Sequence, residues 1–333
     1  MFTRRLKKKS AKPRWFSEQA AKKRSAVSAF FRFCLILVIL AMLLFAGSKV
    51  WQVGKKSLWD GRGNLNLAAI TPDQLVVVSY QPFPPMLVIL KIQPQVYVSL
   101  SRGFGDYPVS SIWPLGELEP SGGGELLKLS TQNFLQIPVQ GWARLNFPLG
   151  EKTGKRELLG MIFGLLKGGQ TNLNLWDLLR LAKKINALPG SKIKTYSLDK
   201  TRASEIVTLA DGSQAFRIQE DYLENLVVDL FSDQAVLGEG YMWEIFNATD
   251  KEGLAARVAN LVHNIGGEVL VSPITSSIKG GIYCQQKEIC QSYSAKLLAK
   301  TFNLPVISEK IPDSRGEAVI VLDQNYWKFF YER

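Results

Sequence analysis

The chain has 333 residues, 46% of them hydrophobic, with one histidine and a formal net charge of +12 at pH 7. A single histidine excludes catalytic sites built on several histidines, and the helical pattern around His263 favours a helix-surface residue over a catalyst. The basic excess lies before residue 50, and no stripe of Lys and Arg with interleaved aromatic residues follows it, so nucleic acid is not an expected partner.

A basic tail and an apolar segment open the chain. Residues 1–25 hold ten Lys or Arg against one acid, Glu18, and residues 26–48 contain Arg32 as their only charged residue. A membrane helix needs roughly 20 apolar residues, an Arg near its end can reach the headgroups, and basic flanks stay cytoplasmic.

The sequence therefore predicts a single transmembrane helix at 26–48 in the cell membrane. The N-terminus is then cytoplasmic, with anionic lipid near its basic tail, and the remainder is extracytoplasmic. A cleaved signal peptide is the alternative, because residues 46–48 (AGS) form a tolerable cleavage site.

The segment 64–231 shows alternating strand and helix patterns, which are typical of a layered α/β domain. Apolar runs on either side of a proline-rich turn predict two adjacent strands, and helical spacing of apolar residues predicts helices further on. The predicted strands are 75–80, 86–92, 95–100 and 142–147, and the predicted helices are 123–136, 156–167 and 175–188. The polar, glycine-containing stretch 232–241 predicts a linker.

The segment 242–333 predicts a second, smaller α/β domain. Its predicted strands are 242–246, 268–272, 281–284 and 318–322, and its predicted helices are 251–265 and 292–302. Residues 247–249 match a glycosylation sequon, but a turn between strand and helix explains them better. The predicted fold class is therefore α/β, with an N-terminal transmembrane helix followed by two extracytoplasmic α/β domains.

The predicted helix 156–167 contains Gly160-x-x-x-Gly164 in an apolar context. In a membrane this motif packs helices together, but the apolar run is too short to span a bilayer. A buried core helix whose glycines allow close approach is the favoured interpretation. The wall of an apolar lipid pocket is the other alternative.

Two cysteines, Cys284 and Cys290, lie beyond the apolar segment, which itself contains Cys34. On the oxidising side of a membrane such a pair can close a small loop, so a disulfide between Cys284 and Cys290 is predicted. Two buried free thiols are an alternative, and a metal site is disfavoured because no histidine lies nearby.

The C-terminal segment has a distinctive order of motifs: a strand, Asn-Ala-Thr, a helix that begins Gly-Leu-Ala, a glycine and another strand. The residues that carry it are Asn247, Ala248, Thr249, Gly253, Leu254, Ala255, Arg257, Val258 and Ala259. A later strand leads into a turn with Asp323 and Tyr326. On these residues, 242–327 resembles the C-terminal domain of LytR-type proteins in the LytR-CpsA-Psr family.

The preceding segment resembles, in degenerate form, the catalytic domain of the same family. Asp73 precedes a hydrophobic strand that ends in Ser79, and the next family motif falls on residues 91–98. Three positions of that motif are kept, Ile92, Tyr97 and Val98. Pro94 and Gln95 stand where the family has Arg and Asp, and the family's later arginine-rich region is missing, although a Gly-Gly helix from Gly123 and an Ile-Pro-Val at 137–139 are present.

The resemblance implies a role in the cell envelope. Family members transfer a glycopolymer phosphate from a polyprenyl-diphosphate lipid to the wall, which needs Arg clamps and a divalent metal. Asp73 alone remains as a candidate magnesium ligand, and a turn residue after Pro72 is its alternative interpretation. No cofactor is therefore expected, except Mg²⁺ if the family reaction is retained.

Three hypotheses follow. The favoured hypothesis is a non-catalytic, membrane-anchored module that binds wall polymer, a polyprenyl-phosphate lipid or a partner protein. Under this hypothesis the protein is not an enzyme. The second is a divergent glycopolymer phosphotransferase with relocated lipid- or phosphate-binding residues, Lys91, Arg102 and Arg144, which should then meet near Asp73. In the third, only the C-terminal domain binds, and the first domain is a spacer.

Overall fold

The computed structural model describes Met42 and residues 57–150, 153–198, 204–208, 214–273 and 278–332. Residues 57–333 form one compact unit. The predicted basic tail at 1–25 and, apart from Met42, the predicted span at 26–48 lie outside the described residues. Within the described ranges, no helix combines the length and apolar character needed to cross a membrane.

The described elements alternate between strands and helices, in agreement with the predicted α/β class. The strands are β1 (Leu65–Ile70), β2 (Leu75–Pro82), β3 (Pro85–Ile92), β4 (Tyr97–Leu100), β5 (Gly105–Pro108), β6 (Gly141–Arg144), β7 (Gln170–Thr171), β8 (Ile193–Ser197), β9 (Ser204–Thr208), β10 (Gln214–Ile218), β11 (Met242–Asn247), β12 (Glu268–Pro273), β13 (Gly281–Cys284), β14 (Val306–Ile307) and β15 (Ala318–Leu322). The helices are α1 (Ile112–Gly116), α2 (Gly122–Leu135), α3 (Lys155–Leu166), α4 (Leu175–Ala187), α5 (Glu220–Phe231), α6 (Gln234–Glu239), α7 (Leu254–Asn264), α8 (Lys287–Cys290), α9 (Tyr293–Phe302) and α10 (Gln324–Tyr331).

The first sheet has six strands in the order β7-β6-β1-β2-β3-β8. Strands β1, β2 and β3 pair antiparallel, whereas β6 joins β1 and β8 joins β3 in parallel. Both faces of this sheet are buried. Leu75 and Val77 enter the apolar cluster that includes residues of α2, and Val76 and Val78 enter the cluster that includes residues of α3 and α4. This explains why β2 begins with an unbroken apolar run rather than an alternating one.

The second sheet has five strands in the order β12-β11-β15-β13-β14. Strand β11 pairs in parallel with β12 and with β15, and β13 runs antiparallel to β15. Helices α7, α9 and α10 contribute to a single apolar cluster with residues of β11, β13 and β15. Strands β4 and β5 form a separate two-stranded antiparallel sheet, and so do β9 and β10.

The stretch 232–241, for which a linker is predicted, contains helix α6. The side chain of Asp233 caps it by accepting a hydrogen bond from the backbone N–H of Ala235 (2.9 Å), and Gly240 ends it in the left-handed conformation (φ 62°). The division of the chain into domains 64–231 and 242–333 stays a prediction.

Helix α3 differs from the predicted core helix. Its buried side lies toward the first sheet, but a Cβ on Gly160 would meet no heavy atom within 4 Å, and one on Gly164 would lie 3.8 Å from the ring of Phe147. Phe163 is 58% exposed. The prediction that these glycines allow close helix approach is therefore wrong, because they lie on the side of the helix that faces away from the sheet and is left open.

Candidate functional site

The candidate magnesium ligand Asp73 lies in the turn between β1 and β2. Its side chain is exposed, and its Oδ1 accepts a hydrogen bond from the hydroxyl of Thr71 (2.6 Å). The same hydroxyl donates to the carbonyl oxygen of Gln74 (2.9 Å) and accepts from its backbone N–H. Asp73 thus takes part in closing a turn, as its alternative interpretation predicts.

The donor set around Asp73 does not fit a resident magnesium ion. Mg²⁺ prefers six oxygen ligands, and one exposed carboxylate that already accepts from Thr71 supplies too few of them. Among the residues that the structure describes, no three His, Cys, Asp or Glu side chains gather into a group that could hold a metal. Any ion here would depend on ligand phosphates and water.

Lys91 and Arg144 lie on opposite faces of the first sheet. Lys91 is buried beside Val76, on the face covered by α3 and α4, and its ammonium donates to the carbonyl oxygen of Gly150. Arg144 pairs in register with Ile70 on the other face, where its guanidinium lies 5.0 Å from the ring centre of Trp113. The sheet therefore separates these two cations.

Arg102 lies on the turn between β4 and β5, in the left-handed conformation (φ 61°). Its backbone N–H donates to the carbonyl oxygen of Phe330 on α10 (2.8 Å). Arg102 is thus tied to the C-terminal helix. Lys91 and Arg144 both lie at the end of the sheet where the turn of Asp73 joins β1 to β2, but on opposite faces of it.

Cys284 and Cys290 are present as thiols, and Cys284 is buried in β13. Burial raises the pKa of the Cys284 thiol, and the hydrogen-bonded Cys290 beside it adds to this increase. The thiol of Cys290 also lies 3.7 Å from the carbonyl oxygen of Ile307. The disulfide between these neighbouring cysteines stays a prediction.

A cavity of about 360 Å³, which we call the lysine cavity, brings together residues that the sequence analysis did not connect. Three lysines line it, Lys128 on α2 and Lys296 and Lys300 on α9, and Asp60 is the acid in its lining. Its apolar walls are Leu58, Trp59, Leu129, Val139, Leu297 and Phe329, and its polar lining is Asn64, Gln132, Gln140, Tyr293, Thr301 and Asn303. Such a mixture of apolar walls with a few convergent polar groups is typical of a ligand site.

Helix geometry places Lys296 and Lys300 on one side of α9, because residues four apart lie one above the other. The ammonium of Lys296 donates to the carbonyl oxygen of Gln291, and Lys128 pairs with Glu125 in the preceding turn of α2. Lys300 is exposed. An anion in the cavity would therefore compete with Gln291 and Glu125 for two of these ammonium groups.

Buried hydrogen bonds hold α9 against the rest of the molecule. The hydroxyl of Tyr293 donates to Oδ2 of Asp233 (2.8 Å), which also accepts from the backbone N–H of Asn64 (2.9 Å). The carboxylate of Glu239 accepts from the backbone N–H groups of Tyr293 (2.7 Å) and Ser294 (2.8 Å) at the start of α9. The positions of the lysines thus depend on carboxylates that come from α6 and its cap.

The two side chains of the Tyr293–Asp233 pair have shifted acidities. Burial raises the pKa of Asp233, although hydrogen bonds from Asn64, Ala235 and Tyr293 oppose the change. Burial, followed by the charge and hydrogen bond of Asp233, raises the pKa of Tyr293. Tyr293 therefore keeps its proton at neutral pH and acts as a donor to Asp233.

The sequence contained one signal for this cavity, the spacing of Lys296 and Lys300 on the predicted helix 292–302. Their approach to Lys128, which lies more than a hundred residues earlier, has no local signal. It follows from the packing of α2 against the C-terminal helices, in which Leu129 joins the same apolar cluster as Leu297.

Comparisons with known proteins give similarities among solved structures only. No protein-family model matches the chain, and no curated protein matches it in sequence. Bacillus subtilis TagT is 15% identical over 52% of this chain and 91% of its own, with a TM-score of 0.39. Bacillus subtilis TagV is 13% identical over 50% and 95%, with a TM-score of 0.38. The LytR-CPS2A-psr family protein YwtF (TagT) with bound octaprenyl pyrophosphate lipid is 16% identical over 52% and 91%, with a TM-score of 0.40. The chain is thus similar, over about half of its length, to these solved structures, one of which is described as a LytR-CPS2A-psr family protein.

Proposed function

We propose that this protein is a membrane-anchored component of the cell envelope that binds a phosphate-bearing wall polymer or polyprenyl lipid without catalysing its transfer. In this proposal residues 26–48 span the membrane, the N-terminal tail is cytoplasmic, and the unit 57–333 is extracytoplasmic. Basic residues before the apolar segment support this orientation.

The lysine cavity is the observation that carries the proposal. Three ammonium groups beside apolar walls suit a ligand that combines negative charge with an apolar or sugar-ring surface. A phosphate or diphosphate headgroup with an attached prenyl chain or glycan has this character. Lysine is a flexible point charge rather than a planar fork, which is suited to holding such an anion.

The separation of the other candidate residues supports binding rather than transfer. Phosphoryl transfer requires cations that converge on the reacting phosphate, together with a positioned base or metal. Lys91 and Arg144 lie on opposite sides of a sheet, and Asp73 is part of a turn. This arrangement favours binding over transfer.

Binding and turnover can be measured together on the full chain in phosphatidylcholine nanodiscs. The probes are a polyprenyl diphosphate and inorganic pyrophosphate, each with and without Mg²⁺, and the readouts are the dissociation constant and released phosphate. We expect binding without release. Release of phosphate that disappears in Asp73→Ala would instead show phosphoryl transfer to water at this site, which contradicts the proposal and favours the divergent phosphotransferase.

Charge removal locates the binding site. Lys296→Gln with Lys300→Gln should weaken probe binding by roughly tenfold or more, since a charge-assisted hydrogen bond contributes about 1.5–3 kcal/mol. Lys310→Gln, an exposed lysine outside the cavity lining, is the matched control and should leave binding unchanged. Equal affinity in the double variant and the control would contradict the proposal.

Lys128→Gln tests whether the first domain takes part. If both halves of the unit form the site, this variant should weaken binding in the same way as Lys300→Gln. If only the C-terminal domain binds, Lys128→Gln should have no effect while Lys300→Gln still does.

A further inference from the structure

We propose that the outer side of helices α3 and α4 lies against the surface of a bilayer with anionic headgroups. The inference rests on the proposed membrane anchorage and adds a second contact between the protein and the membrane. Its basis is an exposed apolar face, its charge, and the place where the described chain begins. We call this surface the α3–α4 apolar face, and its members are Phe163, Leu166, Leu175, Trp176 and Leu179.

The two helices form an antiparallel pair on one side of the first sheet. The ammonium of Lys155, at the start of α3, donates to the carbonyl oxygen of Asn186 near the end of α4 (2.9 Å). The sheet-facing side of each helix is buried, whereas Phe163 is 58%, Trp176 is 42% and Leu179 is 48% exposed. Helical spacing places these three side chains away from the sheet, so that they share one outward surface.

The two helices that form this surface carry an excess of cations. The helices and their connection carry six Lys or Arg: Lys155, Arg156, Lys167, Arg180, Lys183 and Lys184. The same stretch contains two acids, Glu157 and Asp177. The carboxylate of Glu157 accepts a hydrogen bond from the backbone N–H of Gly154, and Asp177 is buried. A face with this charge would repel a second copy of itself, whereas it complements anionic headgroups.

Two cationic groups lie over aromatic rings of this face. The ammonium of Lys167 lies 4.5 Å from the ring centre of Phe163, and the guanidinium of Arg180 lies 5.6 Å from that of Trp176. Exposed aromatic and aliphatic side chains flanked by Lys and Arg are typical of segments that lie in a membrane interface.

The described chain begins beside this face. The backbone N–H of Leu58 donates to Oδ2 of Asp177 in the first turn of α4 (3.1 Å), and the hydroxyl of Ser57 donates to the same carboxylate. The predicted span ends at residue 48, and the residues between 48 and 57 reach at most about 30 Å when fully extended. The bilayer is therefore within reach of α4.

Fluorescence quenching by brominated lipid tests the contact on the full chain. The chain is placed in phosphatidylglycerol–phosphatidylcholine nanodiscs with and without bromine on the acyl chains, and emission is compared with that of Trp176→Phe. We expect the emission contributed by Trp176 to be lost in brominated discs. Trp327→Phe is the matched control, because Trp327 also lies beneath a cation, Lys251, at 5.3 Å, but outside this face.

The outcomes separate this inference from the anchorage. A chain that stays in discs after an alkaline wash while Trp176 is not quenched overturns the membrane contact and keeps the anchor. A chain that is washed out of the discs overturns the anchor. In that case brominated phosphatidylglycerol vesicles are added to the released chain. Quenching of Trp176 then supports the membrane contact, and unchanged emission overturns it as well.

A charge-introducing variant gives a second readout. Phe163→Glu should reduce the quenching of Trp176, whereas Leu118→Glu, at a residue that is 80% exposed and lies before α2, should not. Both variants should bind the polyprenyl diphosphate probe as the wild type does, because neither residue lines the lysine cavity. Unchanged quenching in Phe163→Glu would contradict the inference.

Discussion

Two buried carboxylates show how burial and neighbouring charges, together with hydrogen bonds, decide the acidity of a side chain. Glu244 on β11 is buried, and although burial raises its pKa, hydrogen bonds from Ser272, Gly316 and Arg315 lower it below the ordinary value. Asp233 also accepts three hydrogen bonds, from Asn64, Ala235 and Tyr293, but its burial outweighs them and the charge of Asp60 adds to the increase, so its pKa is raised. The two groups therefore make opposite contributions to the pH dependence of stability.

Glu244→Gln should destabilise the fold by about 1–3 kcal/mol near neutral pH, because it weakens charge-assisted hydrogen bonds to the backbone N–H groups of Arg315 and Gly316. A carboxyl with a lowered folded pKa contributes stability above its unfolded pKa, near 4.5, and loses it as pH falls through the folded pKa. The gap between wild type and variant should thus shrink below pH 4.5 in urea unfolding curves. A gap independent of pH would contradict this assignment.

Tyr293→Phe removes the hydroxyl that donates to Asp233. We expect a loss of about 1–3 kcal/mol, because the buried carboxylate is left with one donor fewer. The control is Tyr222→Phe, at a side chain that is 47% exposed, which should change the free energy of unfolding little. Equal effects in the two variants would show that the Tyr293–Asp233 bond contributes nothing to stability.

At the scale of elements, an apolar run in the sequence corresponds to full burial in strand β2 but to burial on one side only in helix α3. Strand β2 is buried on both faces, so its continuous apolar run predicted its type without showing which neighbour covers it. Helix α3 is also apolar nearly all round, but only its sheet-facing side is covered. Composition alone could not distinguish these cases, because an apolar residue on an open helix side looks the same in sequence as a core residue.

The glycines of α3 and α2 give a matched test. Gly160→Ala should stabilise the protein by about 0.5–1 kcal/mol, because alanine favours the helix and its Cβ meets nothing within 4 Å. Gly124→Ala, also within a helix, should destabilise it, since the new Cβ would lie 2.2 Å from the ring of Trp142. The check is the free energy of unfolding in denaturant, and destabilisation by Gly160→Ala would contradict the open environment.

At the scale of the molecule, the two sheets share one compact unit. Leu129 on α2 belongs to the apolar cluster of the second sheet, and Asn64, just before β1, bonds to Asp233. The side-chain amide of Asn264 on α7 also donates to the carbonyl oxygen of Gln136 (3.0 Å). These contacts join the segment 64–231 to the predicted linker 232–241 and to the segment 242–333, for which separate domains are predicted.

We therefore expect the unit 57–333 to unfold in one cooperative transition. In calorimetry of the full chain, the measured enthalpy of this transition should equal the van't Hoff enthalpy, because loss of either sheet exposes the shared cluster. Two resolved transitions would instead indicate independent domains joined by a flexible linker at 232–241.

The sequence by itself determined the α/β class, the order of most strands and helices, and the candidate membrane segment. It could do so because hydrophobic periodicity, helix caps and charge runs are local properties of the chain. Only the tertiary structure decided that Lys91 and Arg144 lie on opposite faces and that Lys128 shares a cavity with Lys296 and Lys300. Strand register and helix packing set these relations, since both join residues far apart in the chain, and no local pattern records them.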